Sequence, residues 1–247
     1  MVKFLEKNHY QVDYASDTDI NNNPQLLLAY KAIIITGHDE YWTHVMLDAY
    51  YAAVSRGVNL AVFAANTGYR PTRFESDPIT KLPNRIIVCY KDYRLDPYST
   101  IDPSQLTGGN WRHFPFNKPE SQLLGEVYKD EILHINQSGD LVVKDSKNWI
   151  FAGSGLRIGS AIRGIVGYEY DDFVPEAPHP INTTVVFTAH VKSVEGQEDE
   201  ASSSLYQLHG QVFDAGTIEW SWGLDPNLKT YSPGLTVVTN NILKKFN

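Results

Sequence analysis

Three largely apolar runs in the first half of the chain predict buried β-strands. They cover residues 32–35, 58–65 and 85–89. Between the first two lies an amphipathic stretch that begins with Thr43, a good N-cap residue, and ends before Gly57, a common residue after helices. A strand, a helix and a second strand in this order form a crossover. We therefore expect a parallel sheet whose strands are buried on both faces.

Weaker alternating patterns in the second half of the chain predict antiparallel strands. Residues 183–191 and 205–213 are rich in β-branched and aromatic side chains, and an acidic, serine-rich segment separates them. This arrangement is typical of two strands joined by an exposed connection. Further strand candidates lie at residues 141–143, 149–151 and 162–168. Residues 233–245 predict a closing helix.

These elements predict a single α/β domain over residues 1–247. Its expected parts are a parallel α/β core over 1–95, a loop or lid insertion over 96–125, and a β-rich second half over 126–247. The chain opens with a short helix and an alternating, strand-like stretch at residues 10–15. A doubly wound sheet usually opens with a strand. The order therefore predicts that the first strand of a longer relative is missing.

The amino-acid composition excludes several classes of protein. A 42% apolar content is enough for a core, while the net charge of −8 provides no basic surface for nucleic acid. The single cysteine, Cys89, excludes an intrachain disulfide and a thiolate metal site. No apolar run approaches the roughly 18 residues of a membrane span. We expect a cytoplasmic protein that binds neither nucleic acid nor membrane.

Polar and aromatic side chains follow the first predicted strand without a break. They are His38, Asp39, Glu40, Tyr41 and Trp42, and a second set, residues 66–70, follows the next strand. Ligands bind beyond the carboxyl ends of strands in open α/β sheets, so these loops predict a site. The alternative is structural, because tyrosines beside tryptophans often pack at a core edge and acidic side chains stabilise helix N-termini.

The motifs of several common enzyme classes are absent. No GxGxxG follows a strand, and neither GxxxxGK[ST] nor GxSxG occurs. The sequence therefore gives no support to a dinucleotide-binding enzyme, a P-loop NTPase or an α/β-hydrolase.

Segments spread over almost the whole chain resemble the N,N-dimethylformamidase beta subunit-like C-terminal domain family. The residues that carry the resemblance are TGHDEYW at 36–42, GVNLAVFAANTGYRPTRFE at 57–75, VCYKDYRLDP at 88–97, WR at 111–112, GYEYD at 167–171 and VFDAGTIEWSWGLD at 212–225. The resemblance implies a fold like that of class I glutamine amidotransferases. This fold is a flavodoxin-like three-layer sandwich with a mostly parallel sheet, here with an antiparallel β extension.

The resemblance also implies a ferric ion, Fe(3+), held by two tyrosines and one glutamate, with a metal-activated water that attacks an amide. Tyr41 matches the first tyrosine, Tyr69 the second and Glu169 the glutamate, with Glu120 as a rival for that place. Phenolate and carboxylate oxygens are hard donors that suit a ferric ion. Arg70 stands where the family often has tryptophan.

Two further pairs of residues have expected roles, the first from their chemistry and position and the second from the same resemblance. His38 and Glu40 are expected to assist as proton-handling partners of the metal site. Arg73 and Asp92 are expected to form an ion pair that fixes adjacent strand ends.

The sequence thus predicts a metal-dependent hydrolase that cleaves the C–N bond of a small amide. The alternative is a non-catalytic domain that binds a small or carbohydrate ligand at the same edge, or a scaffold domain. Aromatic residues in the 96–119 loop fit either a lid or an interface with a second copy or a partner subunit.

Overall fold

The structure is a computed structural model that describes residues 1–132 and 137–247. Its helices are α1 (Val2–Lys7), α2 (Asp17–Asn22), α3 (His44–Ser55), α4 (Tyr98–Ile101), α5 (Ser121–Leu124) and α6 (Pro233–Phe246). The first strands are β1 (Ala32–Gly37), β2 (Tyr41–Thr43), β3 (Asn59–Ala64), β4 (Arg70–Glu75), β5 (Ile86–Val88) and β6 (Val127–Glu131). The later strands are β7 (Gly139–Val143), β8 (Ala161–Val166), β9 (Glu169–Asp172), β10 (Thr184–Lys192), β11 (Glu198–Gln207) and β12 (Gln211–Asp214).

The fold is α/β and is built on a seven-stranded mixed sheet. The strand order is β1-β3-β12-β11-β10-β7-β8. Strands β1, β3 and β12 run parallel, and the remaining neighbours pair antiparallel. The predicted parallel pairing of the first two apolar strands is confirmed. The expectation of a mostly parallel sheet is wrong, because parallel pairing stops at β12.

The predicted strand at 183–191 forms β10, but its predicted partner at 205–213 is wrong. Its partner is β11, most of which is the acidic, serine-rich segment expected as an exposed connection, while residues 211–213 belong to β12. Residues 201–204 are buried there because serine hydroxyls can find partners inside, as Ser202 does with Glu126.

Both faces of β3 are buried, as its continuous apolar sequence predicts. Leu60 and Val62 pack in a cluster with α3, whereas Ala61 and Phe63 pack in a second cluster with α6. Successive strand residues point to opposite faces, so one strand contributes to both clusters. The Thr43 hydroxyl accepts a hydrogen bond from the Met46 amide and so caps the N-terminus of α3. The sheet therefore holds the carboxyl ends of β1 and β3 rigidly between two packed layers.

Two predicted strands differ in the structure. The third apolar run forms β5, which pairs with β4 in a separate three-stranded sheet, β2-β4-β5, and leaves Ile87 exposed. A run of three apolar residues cannot distinguish a central strand from a peripheral one. Residues Trp149–Phe151 form a 3₁₀-helix because the Asn148 side chain accepts the Ile150 amide and so competes with a strand ladder.

The closing helix is confirmed as α6, while the N-terminal alternating stretch is not a strand. Residues 10–15 belong to no helix or strand. None of the helices in the described parts of the chain has the length and apolar character that a bilayer-spanning segment needs.

A buried ion pair anchors the long loop after β5. The Arg73 Nη1 atom donates to Asp96 Oδ2 at 2.6 Å, and the Asp96 side chain is fully buried. Asp96 also accepts the backbone amide and the hydroxyl of Thr107. The expected Arg73–Asp92 pair is wrong. Asp92 instead binds Arg94, two residues away, at the exposed start of a short helical turn.

Candidate functional site

Backbone contacts fix the loops that follow β1 and β3 against each other. The Gly68 amide donates to the Asp39 carbonyl at 2.7 Å, and the Arg70 amide donates to the Glu40 carbonyl at 2.8 Å. Gly37, where β1 ends, has a φ of 85°, a conformation that favours glycine. The two polar sets predicted from the sequence therefore lie side by side, beyond the carboxyl ends of β1 and β3.

His38 lies at the centre of a small cluster of charged side chains. Its Nε2 atom is 2.9 Å from Glu169 Oε2 and 3.5 Å from Glu40 Oε2. The Tyr168 hydroxyl lies 3.4 Å from His38 Nδ1. The structure thus brings His38, Glu40 and Glu169 together, although Glu169 follows the other two by about 130 residues in the sequence.

The two carboxylates hold the His38 imidazole in its cationic form. The contact with Glu169, followed by that with Glu40, raises the pKa of His38 from 6.5 to about 10, against the opposing effect of burial. Burial acts to raise the pKa of Glu40, but His38 and the charge of Lys91 outweigh it and lower that pKa overall. The cluster therefore combines an imidazolium proton donor with a carboxylate that accepts protons.

Asn66 ties β9 to the end of β3. Its side-chain amide donates to Glu169 Oε1 at 3.2 Å, and its backbone amide donates to Asp171 Oδ1 at 2.8 Å. Glu169 and Asp171 lie two positions apart in β9 and so share one face of the strand. Burial raises the pKa of Asp171 to about 7, with the Asn66 amide acting against it. Asn66 therefore orients the Glu169 carboxylate toward His38.

The two candidate tyrosine ligands have different neighbours. Tyr41 is partly exposed, and its hydroxyl accepts from the Lys91 ammonium at 3.0 Å. The Tyr69 hydroxyl accepts from the Asn110 side-chain amide at 2.9 Å. Among the described residues, no hydrogen bond joins either hydroxyl to Glu169. The structure therefore places both tyrosines at the predicted edge without direct contact between the three oxygen ligands.

Cationic groups surround the Tyr69 ring. The guanidinium carbons of Arg70 and Arg112 lie 4.8 and 5.0 Å from the ring centroid. Arg70, which stands where tryptophan was expected, also binds Glu40 at 3.3 Å and the Gly109 carbonyl at 2.8 Å. The two guanidinium groups therefore make cation–π contacts with the Tyr69 ring.

Glu120, the rival carboxylate, is already paired. It is buried, binds Arg112 as an ion pair and accepts the Tyr128 backbone amide. Glu169 is paired as well, because its Oε2 atom lies 2.9 Å from His38 Nε2 and its Oε1 atom accepts from Asn66. The two carboxylates differ in their partners, since those of Glu169 lie in the loops that follow β1 and β3, whereas Glu120 binds Arg112.

The donor chemistry of these residues fits a ferric ion. Two phenol oxygens and one carboxylate are hard ligands. Among residues 1–132 and 137–247, no group of three or more His, Cys, Asp or Glu side chains is arranged to hold a metal ion.

Sequence reasoning missed several residues of this edge. Lys91, Tyr168 and Asp171 all contact the predicted residues or their neighbours. One signal for Asp171 was available, since it follows Glu169 by the two-residue period of a strand. Nothing local in the sequence connects Lys91 to Tyr41, because 50 residues separate them.

Comparison with protein families agrees with the arrangement of these loops. A family model described as N,N-dimethylformamidase beta subunit-like, C-terminal, matches residues 1–232. The chain belongs to this family. No curated protein matches the chain. The HDEYW loop, the turn with Asn66 and the strand with Glu169 all lie inside the matched region of this N,N-dimethylformamidase beta subunit-like domain.

Two deeply buried carboxyl groups of the N,N-dimethylformamidase-like domain, Glu126 and Asp214, interact electrostatically with Asp171. Burial raises the pKa of Asp214 well above its usual value, and the charge of Asp171 adds to the effect. Burial likewise raises the pKa of Glu126, with the charge of Asp214 as the next cause. In each residue one carboxyl oxygen has no hydrogen-bond partner among the described residues.

We expect Asp214→Asn to make the domain more stable at pH 8. A carboxyl group whose pKa is raised on folding contributes stability that falls as the pH rises from its unfolded toward its folded pKa. The amide removes this loss, for a gain of roughly 1–2 kcal/mol. Urea unfolding at pH 5 and pH 8 measures the change. Asp48→Asn, at an exposed helix position, is the control. A destabilisation by Asp214→Asn that is equal at both pH values would contradict this account.

Proposed function

We propose that this domain hydrolyses the C–N bond of a small linear amide. The observation that supports the proposal best is the His38 imidazole held between Glu169 and Glu40 at the carboxyl end of β1. Membership of the N,N-dimethylformamidase beta subunit-like family supports the same reaction class. The parallel strands β1, β3 and β12, covered on both faces, also support the finer proposal of a glutamine amidotransferase-like, flavodoxin-like fold.

Two residues of the cluster handle the protons of the reaction. Glu40 accepts a proton from the attacking water as its oxygen bonds to the carbonyl carbon. His38, as an imidazolium, donates a proton to the nitrogen as the C–N bond breaks, so the products are a carboxylic acid and an amine. Transfer of the proton from Glu40 to His38, 3.5 Å away, then restores both groups. Asn66 and Glu169 hold His38 in place.

Fe(3+) is proposed as the cofactor, with Tyr41, Tyr69 and Glu169 as its ligands. When bound, a ferric ion would act as a Lewis acid on the carbonyl and lower the pKa of a water molecule. Tyr41 and Tyr69 place hard phenol oxygens in the loops that follow β1 and β3, which is the donor type that a ferric ion prefers. The contacts of Glu169 with His38 and Asn66 support its choice over Glu120, which is paired with Arg112.

We expect iron-bound protein to be coloured, because tyrosinate-to-iron charge transfer absorbs visible light. Purified protein should contain near-stoichiometric iron, and Tyr41→Phe should shift or abolish the visible band. Tyr231→Phe is the matched control, since Tyr231 is 38% exposed and Tyr41 is 37% exposed. Metal analysis with a visible absorption spectrum makes the test. A colourless protein that also fails to take up ferric iron would overturn the iron proposal. Tight binding of small polar ligands without turnover would then favour a binding domain.

A further inference from the structure

The outer edge of β1 is open. This strand is the first of the seven-stranded sheet, and among the described residues it pairs only with β3. A cavity of about 690 Å³ lies beside it, and all five residues from Ala32 to Thr36 line that cavity. Successive strand residues point to opposite faces of a sheet. Residues from both faces of a strand can line the same cavity only when that cavity lies beside the edge of the strand. The cavity therefore borders the open edge of β1.

The pairing with β3 shows which backbone groups face the cavity. The Asn59 amide donates to the Lys31 carbonyl, so the groups of Lys31, Ile33 and Ile35 point toward β3. The alternate residues, Ala32, Ile34 and Thr36, point their amides and carbonyls the other way. The described part of the chain supplies no second strand to pair with them. They form a row of backbone donors and acceptors that is a template for another strand.

The open edge lacks the features that normally protect an edge strand. From Ala32 to Gly37 there is no charged residue, no proline and no bulge. The opposite edge strand, β8, carries Arg163 and has a bulged ladder with β7. Proteins commonly block exposed edges with charges, prolines or bulges. Their absence on β1 indicates that this edge is paired in the functional molecule.

The chemistry of the cavity wall defines the strand that fits. Apolar side chains on one side include Ile20, Leu27, Ile33 and Ile35. Four carboxylates also line the cavity: Asp13, Asp17, Asp19 and Asp39. The lining has neither Lys nor Arg. An extended segment with apolar, β-branched residues in the middle and basic residues at its ends complements this wall in both hydrophobicity and charge.

We propose that the groove between β1 and residues 11–15 binds an extended, apolar peptide strand with basic ends, contributed by a partner protein. The strand adds to the sheet through the backbone groups of Ala32, Ile34 and Thr36, as in β-augmentation. The cavity reaches His38 and Asp39, so the bound strand lies next to the loop that carries the proposed site. The inference rests on the open edge and does not depend on the proposed reaction.

Hydrogen exchange followed by NMR tests the open edge in the free protein. The amides of Ala32, Ile34 and Thr36 should exchange faster than those of Ile33 and Ile35, which donate toward β3. Equal protection of the two sets would overturn the inference before any peptide is added.

A fluorescein-labelled peptide, KKVTVIVK, then tests the partner strand by fluorescence anisotropy. The peptide should bind and slow exchange at Ala32, Ile34 and Thr36, while a copy N-methylated at alternate residues should not bind. Ala32→Pro removes one edge amide at the first strand position, where proline is tolerated, and should weaken binding about tenfold. Ala161→Pro, at the first position of β8, is the matched control and should bind normally.

Three results would overturn the proposal. They are a failure of KKVTVIVK to bind folded protein, equal binding of the N-methylated peptide, and binding without protection of the alternate amides. Analytical sedimentation tests whether a second copy of the chain occupies the groove. A concentration-dependent dimer that protects these amides would show that a second copy, rather than a partner protein, supplies the added strand.

Discussion

Glu169→Gln is expected to lower kcat/KM for amide hydrolysis by about 10²–10⁴-fold, the usual contribution of a positioned proton-transfer group. The neutral amide keeps the size of the side chain and still accepts from Asn66 through its oxygen. It removes the charge that holds His38 as an imidazolium and, in the proposed iron site, one anionic ligand. Steady-state kinetics on the iron-loaded protein measure the loss.

Glu131→Gln is the matched control for this substitution. Glu131 lies directly opposite Glu169 in the β6–β9 ladder but is exposed. The same change at Glu131 should leave kcat/KM within about twofold, because its exposed carboxylate is not among the groups that raise the pKa of His38. Equal losses in the two variants would show that the ladder, rather than the charge on Glu169, controls activity.

Arg73→Leu is expected to destabilise the domain by about 3–5 kcal/mol, the usual cost of removing one partner of a buried ion pair. The Asp96 side chain is fully buried, so the variant leaves its charge without the guanidinium. The variant also removes the Arg73 guanidinium from above the Tyr98 ring, at 4.2 Å from its centroid. Urea unfolding at pH 7 gives the change in the free energy of unfolding.

Arg94→Leu provides the comparison within the same loop. Arg94 binds Asp92 through several hydrogen bonds, but the pair is solvent-exposed. Exposed ion pairs contribute little to stability, so this variant should unfold almost as the wild type does. If Arg73→Leu were as stable as Arg94→Leu, Asp96 would not depend on the guanidinium, and the loop would have another anchor.

The sequence predicted the helices and strands whose hydrophobic pattern extends over many residues. Strands β1 and β3 and helices α3 and α6 have extended apolar periods and clear caps, and the structure confirms them. Short elements were less predictable. The 3₁₀-helix at Trp149–Phe151 depends on one side-chain cap from Asn148, and the apolar run at β5 is too short to show which sheet it joins.

The sequence predicted which loops form the candidate site, but not which side chains contact each other there. His38 and Glu40 follow a buried strand, and this position alone marks them as candidates. Their contacts with Glu169 and Arg70 depend on how distant strands meet, which no local pattern encodes. The expected Arg73–Asp92 pair was wrong for the same reason. Asp96 is the carboxylate that turns into the core beside Arg73, whereas Asp92 stays on the surface.

The most direct test of the proposed function is the release of amine and acid from small linear amides by the wild-type protein. Formamide, N-methylformamide and N,N-dimethylformamide form a suitable series, incubated with protein supplied with ferric iron. Chromatography should detect formate and, in equal amount, ammonia, methylamine or dimethylamine according to the amide, above a buffer control that contains iron alone. Folded, iron-loaded protein that releases neither product from any of the three amides would contradict the hydrolase account.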